Sequence, residues 1–360
     1  MIIEEHDDIN FRKFRATRRK SVSLSAQHLI KTGYLREGEQ FPLVVEPQVD
    51  DVNLIKWAAS NRSFIDEKLL SHGAILFRGF KLDGVDGFEQ FARAISPSLL
   101  DYKERAAPRK EVGKNIYTST EYPADQHIPL HHEMSYSHNW PMKLWFYCAK
   151  AAEQGGATPI ADDRVVVQKI DPKIKEIFLR KQVMYVRNYG DGFDLPWQDV
   201  FQTNDRAIVE EYCRRAHTEV EWKDNNRLRT RQVRQVMVTH PKTGARVWFN
   251  HAHMFHVSNL SPQVRESLLA EFGEEYLPRN AYYGDGSRIE SSVLEEIRET
   301  YRQAAVVFDW REGDILMVDN ILASHGRHPY SGPRKILVSM AELYTNDSLF
   351  QSGTQLQIDI

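Results

Sequence analysis

Two segments far apart in the chain restrict its fold more than any other feature: Leu130-His131-His132-Glu133-Met134-Ser135-Tyr136 and Asp319-Asn320-Ile321-Leu322-Ala323-Ser324-His325-Gly326-Arg327. Together they offer His-x-Glu from one place and a single His from another. Two imidazoles and one carboxylate form the 2-His-1-carboxylate facial triad, which holds a non-heme Fe(II) on one face and leaves the other positions open for a co-substrate and O₂. A shared ion requires the two segments to meet in space. If the first is a strand, side chains alternate between faces, so His131 and Glu133 point together and His132 points away. Taken singly, each residue has a plainer reading: the chain holds 14 histidines, and imidazole and carboxylate also pair for structural reasons.

The periodicity around these segments is mostly that of short strands. Apolar residues at helical spacing (Leu54, Ile55, Ala58, Phe64, Ile65, Leu69, Leu70) predict one or two amphipathic helices over 53–70. The apolar, glycine-bracketed run Gly73–Phe80 reads as a buried strand. A helix over 86–95 is limited by Pro97. Further strands are expected at 116–120, 143–148, 181–187, 246–250, 314–318 and 335–340, and helices at 205–217, 262–272 and 289–304. Residues 204–235 read as polar and mixed, part of a long insertion. The expected architecture is β-rich with flanking helices, an antiparallel jelly roll or double-stranded β-helix. We expect an N-terminal extension over 1–40 and one domain over 41–360, with the mixed insertion at about 190–300 between the metal-ligand motifs.

Composition removes several classes of function. The net charge of −3 gives no field for nucleic acid, and no apolar run approaches the roughly 20 residues of a membrane span. The start of the chain is acidic, unlike a secretory signal. Cys148 and Cys213 do not make a disulfide framework, and Cys148, inside an apolar strand, reads as an inert buried thiol. The expected setting is cytoplasmic, where Fe(II) stays reduced. One local exception is basic: Arg12, Lys13, Arg15, Arg18, Arg19 and Lys20, either a solvated arm or a docking patch for an acidic protein partner.

The surroundings of the second histidine sharpen the chemistry. Arg334 follows His325 by nine positions, on the next strand, where a guanidinium can take a carboxylate in a two-pronged contact. Thr158 follows the turn Gly155-Gly156 and supplies a hydroxyl. Arginine plus hydroxyl makes a clamp for the far carboxylate of a dicarboxylate chelated to iron. Asn320 is a candidate for orienting the ligand histidines from behind. The second histidine cluster, His251, His253 and His256, has no carboxylate or cysteine at matching spacing and reads as pocket lining or core. Arg187, Asn188 and Arg231 are candidates for a substrate carboxylate or a phosphopantetheine-like group, Asn250 for facing the substrate, and Glu121 for a substrate amine.

The pattern His-x-Glu, Gly-Gly-x-Thr, then His-Gly-Arg with an arginine nine residues on resembles the taurine dioxygenase (TauD/TfdA) superfamily of Fe(II)/2-oxoglutarate oxygenases. The phrases Tyr117-Thr118-Ser119-Thr120-Glu121-Tyr122-Pro123, Val247-Trp248-Phe249-Asn250 and Tyr283-Gly284-Asp285-Gly286-Ser287 resemble its SyrP-type branch. That branch is associated with hydroxylation of amino acids in nonribosomal peptide pathways. The resemblance implies that His131, Glu133 and His325 bind Fe(II), and that Arg334, assisted by Thr158, binds the distal carboxylate of 2-oxoglutarate. It implies oxidation of an unactivated C–H bond with O₂, yielding succinate and CO₂. Halogenating relatives lack the carboxylate, so Glu133 argues against halogenation. The substrate so implied is an amino acid or an amino-acid-derived metabolite, free or tethered to a carrier protein. Desaturation, epoxidation and cyclisation share this chemistry and stay open. A non-catalytic metabolite-binding regulator would have lost a ligand or the arginine, and a cupin-type metal enzyme would need neither Arg334 nor Thr158.

Overall fold

The computed structural model describes residues 29–101, 109–120, 122–190 and 195–346. The basic stretch 12–20 and Glu121 lie outside them. The largest sheet has eight strands in the spatial order Ile30–Gly33, Leu43–Pro47, Ala74–Phe77, Ile315–Asp319, Asn139–Lys150, Lys335–Thr345, Ile116–Thr118 and Glu111–Gly113. Neighbours run antiparallel except Leu43–Pro47 beside Ala74–Phe77. Its first strand falls within the segment expected as an extension.

Period-two alternation sorts the central strands' residues between two apolar layers. Leu144, Phe146, Leu316, Val318, Val338 and Met340 face one layer. Trp145, Tyr147, Ile315, Met317 and Leu337 face the other, against the helices Leu54–Ser60, Arg62–His72 and Gly84–Ile95. Local chemistry sets the ends of these helices. Asn53 Oδ1 accepts from Lys56 N at 2.9 Å, a side-chain N-cap. Gly73, at φ 76°, stops the second helix in the left-handed conformation and releases the chain into the buried strand Ala74–Phe77.

A second, three-stranded sheet carries the histidines, in the order Ile128–His131, Ala323–Arg327, Ile160–Asp162. It places His325 directly opposite His131 in antiparallel register, with a bulge between His325 and Arg327. Gly326 is required at that bulge, because a Cβ there would stand 2.7 Å from the Ile128 carbonyl oxygen.

Three strands of the expected mixed insertion, Glu219–Lys223, Arg227–Arg234 and Arg279–Tyr283, form a four-stranded sheet with Val183–Tyr189, which precedes it, in the order Glu219–Lys223, Arg227–Arg234, Val183–Tyr189, Arg279–Tyr283. Its core includes Leu130 and Tyr136, so it packs onto the segment bearing His131 and Glu133. In residues 204–235 the expected helix is present over Arg206–Arg215, and polar composition conceals only the hairpin that follows it, Glu219–Lys223/Arg227–Arg234. Arg229 and Arg234 are almost wholly buried. Burial of a charge is tolerated only when partners satisfy it. Arg229 donates to Asn188 Oδ1 and Glu275 Oε1, both at 2.8 Å, and Arg234 donates to the Ala216 carbonyl at 2.8 Å. The partners of Arg229 come from elsewhere in the fold, so the hairpin is invisible to local pattern.

Candidate metal centre

His131, Glu133 and His325 each offer a ligand atom, and these atoms all lie within 4.8 Å of one another, close enough for one ion to reach all three. The strand argument from sequence needs one correction. The strand ends at His131, and Glu133 lies in the following turn, where Met134 takes φ 61°. Turn geometry, rather than pleat alternation, swings the carboxylate back beside the imidazoles. His132 does point elsewhere: it is fully buried, with Nε2 3.2 Å from Asp163 Oδ2 and its ring against Phe249.

Hydrogen bonding prepares the donors. His131 Nδ1 donates to the Pro129 carbonyl at 2.8 Å, which fixes the tautomer and leaves the Nε2 lone pair for a cation. Burial, above all, pushes both His131 and His325 below the ordinary imidazole range, so both are held neutral, the ligating form. Asn320 grips the carboxylate residue rather than the histidines. Its Oδ1 accepts from Glu133 N at 2.8 Å, and its Nδ2 donates to the carbonyls of Glu133 at 2.9 Å and Pro141 at 2.8 Å. Asp319, one residue earlier, accepts from the backbone of Ile321 and Leu322 at 3.0 Å each. That turn delivers the chain from the strand Ile315–Asp319 into the strand of His325. The donor set, its protonation and its burial fit a resident Fe(II).

Beside the histidines runs a narrow cleft lined by Ser119, Thr120, Phe146, Thr158, Arg327, Arg334 and Ile336 among others. Arg334 donates from Nε to the Gly156 carbonyl at 3.0 Å, and its Nη2 lies 3.5 Å from Thr158 Oγ1. Burial lowers its pKa to about 10, the mark of a guanidinium stripped of water and suited to an anion. Gly156 permits this approach, since a Cβ there would meet Arg334 Cδ and Nε at 3.0 Å. Trp310 Nε1 donates to Thr158 Oγ1 at 3.0 Å, which leaves the threonine O–H to donate into the cleft. Arg327 is spent on structure: it donates to the carbonyls of Tyr122, Pro123 and Gln126 and ties down that loop.

A larger cavity of about 590 Å³ opens beside His131 and Glu133, within the roughly 300–1,000 Å³ usual for small-molecule sites. Its wall is mostly apolar (Leu195, Met254, Phe255, Leu260, Leu268, Leu277), with Tyr122, His127, His256 and Arg279 interspersed. Arg109, Thr120, Ile128 and His131 line both spaces.

Four substrate candidates from the sequence are engaged elsewhere and do not line the cavity. Asn188 donates to the carbonyls of Glu275 and Leu277. Asn250 bonds Val236 and Ala252. Arg187 is buried over the Tyr189 ring, and Arg231 lies 3.4 Å from Glu221. Each is engaged within the fold, a placement that residue type alone does not reveal. Of the second histidine cluster, His251 and His256 line the cavity, whereas His253 bonds the Leu130 carbonyl at 2.8 Å.

Sequence reasoning passed over Arg109. It lies in a run with Lys103, Glu104, Arg105, Lys110 and Glu111 that reads as solvated. Yet it is buried, and its Nη2 donates to Glu133 Oε2 at 2.7 Å.

The profile of the family "Taurine catabolism dioxygenase TauD, TfdA family" matches residues 37–340. The dapdiamide synthesis protein DdaC of Enterobacter agglomerans is 42% identical over 278 residues, 77% of this chain and 84% of that protein. A clavaminate synthase-like protein of Arabidopsis thaliana is 28% identical over 329 residues, covering 85% and 95%. Among solved structures, PvcB of Pseudomonas aeruginosa superimposes with a TM-score of 0.52 at 15% identity, over 88% of this chain and 93% of that one. A second PvcB structure, described as an Fe, alpha-ketoglutarate dependent oxygenase from an isonitrile synthetic pathway, gives the same TM-score.

Proposed function

The chain belongs to the taurine catabolism dioxygenase TauD, TfdA family; from that premise we propose that it is an iron- and 2-oxoglutarate-dependent dioxygenase that hydroxylates an unactivated C–H bond of an amino-acid-derived natural-product intermediate. We assign His131, Glu133 and His325 to Fe(II), and Arg334 with Thr158 to the distal carboxylate of 2-oxoglutarate. The observation that carries the reading is the juxtaposition of three convergent, buried ligand atoms with a cleft containing a desolvated guanidinium. We read the eight-stranded and three-stranded sheets as the two halves of a jelly roll in one domain, which takes in the strand Ile30–Gly33 rather than starting at residue 41.

When bound, the iron and the 2-keto acid would activate O₂, one oxygen atom going to succinate as CO₂ leaves and the other to the substrate C–H bond. The chain's own residues do the positioning. Asn320 holds the Glu133 backbone. The Pro129 carbonyl holds the His131 ring. The apolar wall of the large cavity excludes water and sets which C–H faces the site, and such orientation accounts for much of an enzyme's rate. Glu133 occupies the position that halogenation would need vacant.

The 590 Å³ cavity suits a ligand larger than one free amino acid, and the similarity to a dapdiamide synthesis protein supports a biosynthetic substrate, free or carrier-tethered. We place its action in the cytoplasm. The test incubates protein, Fe(II) and 2-oxoglutarate with free and carrier-tethered amino acids and follows succinate and product mass. Substrate-dependent succinate with a gain of one oxygen supports hydroxylation. Loss of two hydrogens points to desaturation or cyclisation. No succinate across the panel refutes the assignment.

A further inference from the structure

Arg109 sits where the cleft and the cavity meet, and its geometry implies a task beyond holding Glu133. Three guanidinium groups line the cleft: Arg109, Arg327 and Arg334. Arg327 donates to backbone carbonyls, and Arg334 stands with Thr158. Arg109 Nη2 contacts Glu133 Oε2 at 2.7 Å, and that same oxygen lies 4.0 Å from His325 Nε2. Arg109 therefore occupies, by charge, the side of Glu133 that faces the other ligands. A dication entering there meets one carboxylate, two neutral imidazoles and a nearby positive guanidinium. In a buried site like charges repel strongly, and a single carboxylate cannot neutralise both cations. A second anion beside the metal restores the balance.

We propose that Arg109 is a positioning residue that stands against Glu133 and receives the metal-proximal carboxylate of the 2-keto acid. This rests on the 2-oxoglutarate reading above. Arg109 and Arg334 then grasp the two ends of one dicarboxylate, Arg109 at the keto-acid end and Arg334 at the distal end. Loading the metal and loading the keto acid become coupled through a single side chain, and such coupling is reciprocal.

The experiment measures binding directly. Mn(II) is titrated into the metal-free protein, and then 2-oxoglutarate or pyruvate, which has only the keto-acid carboxylate, into the Mn(II)-loaded protein. Arg109→Met should leave Mn(II) affinity unchanged or raised and weaken both keto acids by about ten- to a hundredfold, the worth of one charge-assisted hydrogen bond. Arg334→Met should weaken 2-oxoglutarate and spare pyruvate. Arg109→Lys, which keeps the charge and serves if the methionine variant does not fold, should shift the keto acids in the same direction by a smaller factor. If Arg109→Met weakens Mn(II) itself, Arg109 merely orients Glu133 and the proposal fails. It fails equally if pyruvate affinity is unchanged. Should the Mn(II)-loaded wild type bind no 2-oxoglutarate, the functional reading falls instead.

Discussion

Replacing Asn320 by alanine should be among the most damaging single changes outside the ligands themselves. The side chain is fully buried and makes three hydrogen bonds, from Glu133 N and to the carbonyls of Glu133 and Pro141. Truncation strands one backbone donor and two acceptors away from water. A buried group left without its partner costs about 1–3 kcal/mol, so partial relaxation still leaves a loss of about 3–5 kcal/mol. That is a large share of a total stability of about 5–15 kcal/mol. The Glu133 turn also loses its anchor, and changes behind a metal ligand typically cost about 10–100-fold in metal affinity. Denaturant unfolding with and without Mn(II) reads both effects, stability appearing as a lower midpoint at unchanged slope. Asn320→Asp separates hydrogen bonding from packing: it keeps the volume and the bond from Glu133 N but sets oxygen against the two carbonyls. It should be as harmful as alanine. If Asn320→Asp falls within about 1 kcal/mol of the wild type, the reasoning from hydrogen bonds is wrong.

Gly156→Ala should raise the KM for 2-oxoglutarate with Mn(II) affinity intact, because φ is +73° there and the new Cβ would press on Arg334 at 3.0 Å; steady-state kinetics beside a metal titration checks this. Burial pushes Cys148 up to about 12, so the folded protein should resist iodoacetamide at that thiol at pH 8 and react only on unfolding, as followed by mass spectrometry. Burial, more than any other influence, lowers His253 to about 3. Its folded value lies below the unfolded one near 6.5, so the unfolded chain binds the extra proton between these values. Stability should fall with acidification through that window by up to roughly 1.4 kcal/mol per pH unit. His253→Gln should flatten the slope of stability against pH over that range, and an unchanged slope removes His253 as its source.

Local pattern carried the helices at 54–72 and 84–95 and the central strands, because their apolar residues recur at the periods that burial on one or both faces demands. It failed for the hairpin Glu219–Lys223/Arg227–Arg234. Buried Arg229 is admissible only because Asn188 and Glu275 meet it from other elements, and buried Arg234 because Ala216, Thr218 and Gln232 fold onto it. The same reason separates the substrate candidates from the cavity. Arg187, Asn188 and Asn250 are polar residues in strands or their edges, and whether such a group serves a ligand or the fold depends on the neighbours folding supplies. Asn320 was recognisable as a supporting residue, but its target was Glu133.

By itself, the chain's chemistry nominated the proposed site: His131, Glu133 and His325 as candidate ligands, and Arg334 with Thr158 as a candidate clamp. These are properties of functional groups and spacing, and they survive without coordinates. Only the tertiary structure decided how Glu133 turns back beside the imidazoles after its strand has ended, and that Arg109 is a buried partner rather than a solvated charge. Both depend on contacts between segments far apart in the chain, where burial and electrostatic pairing are set by packing rather than by neighbours in sequence.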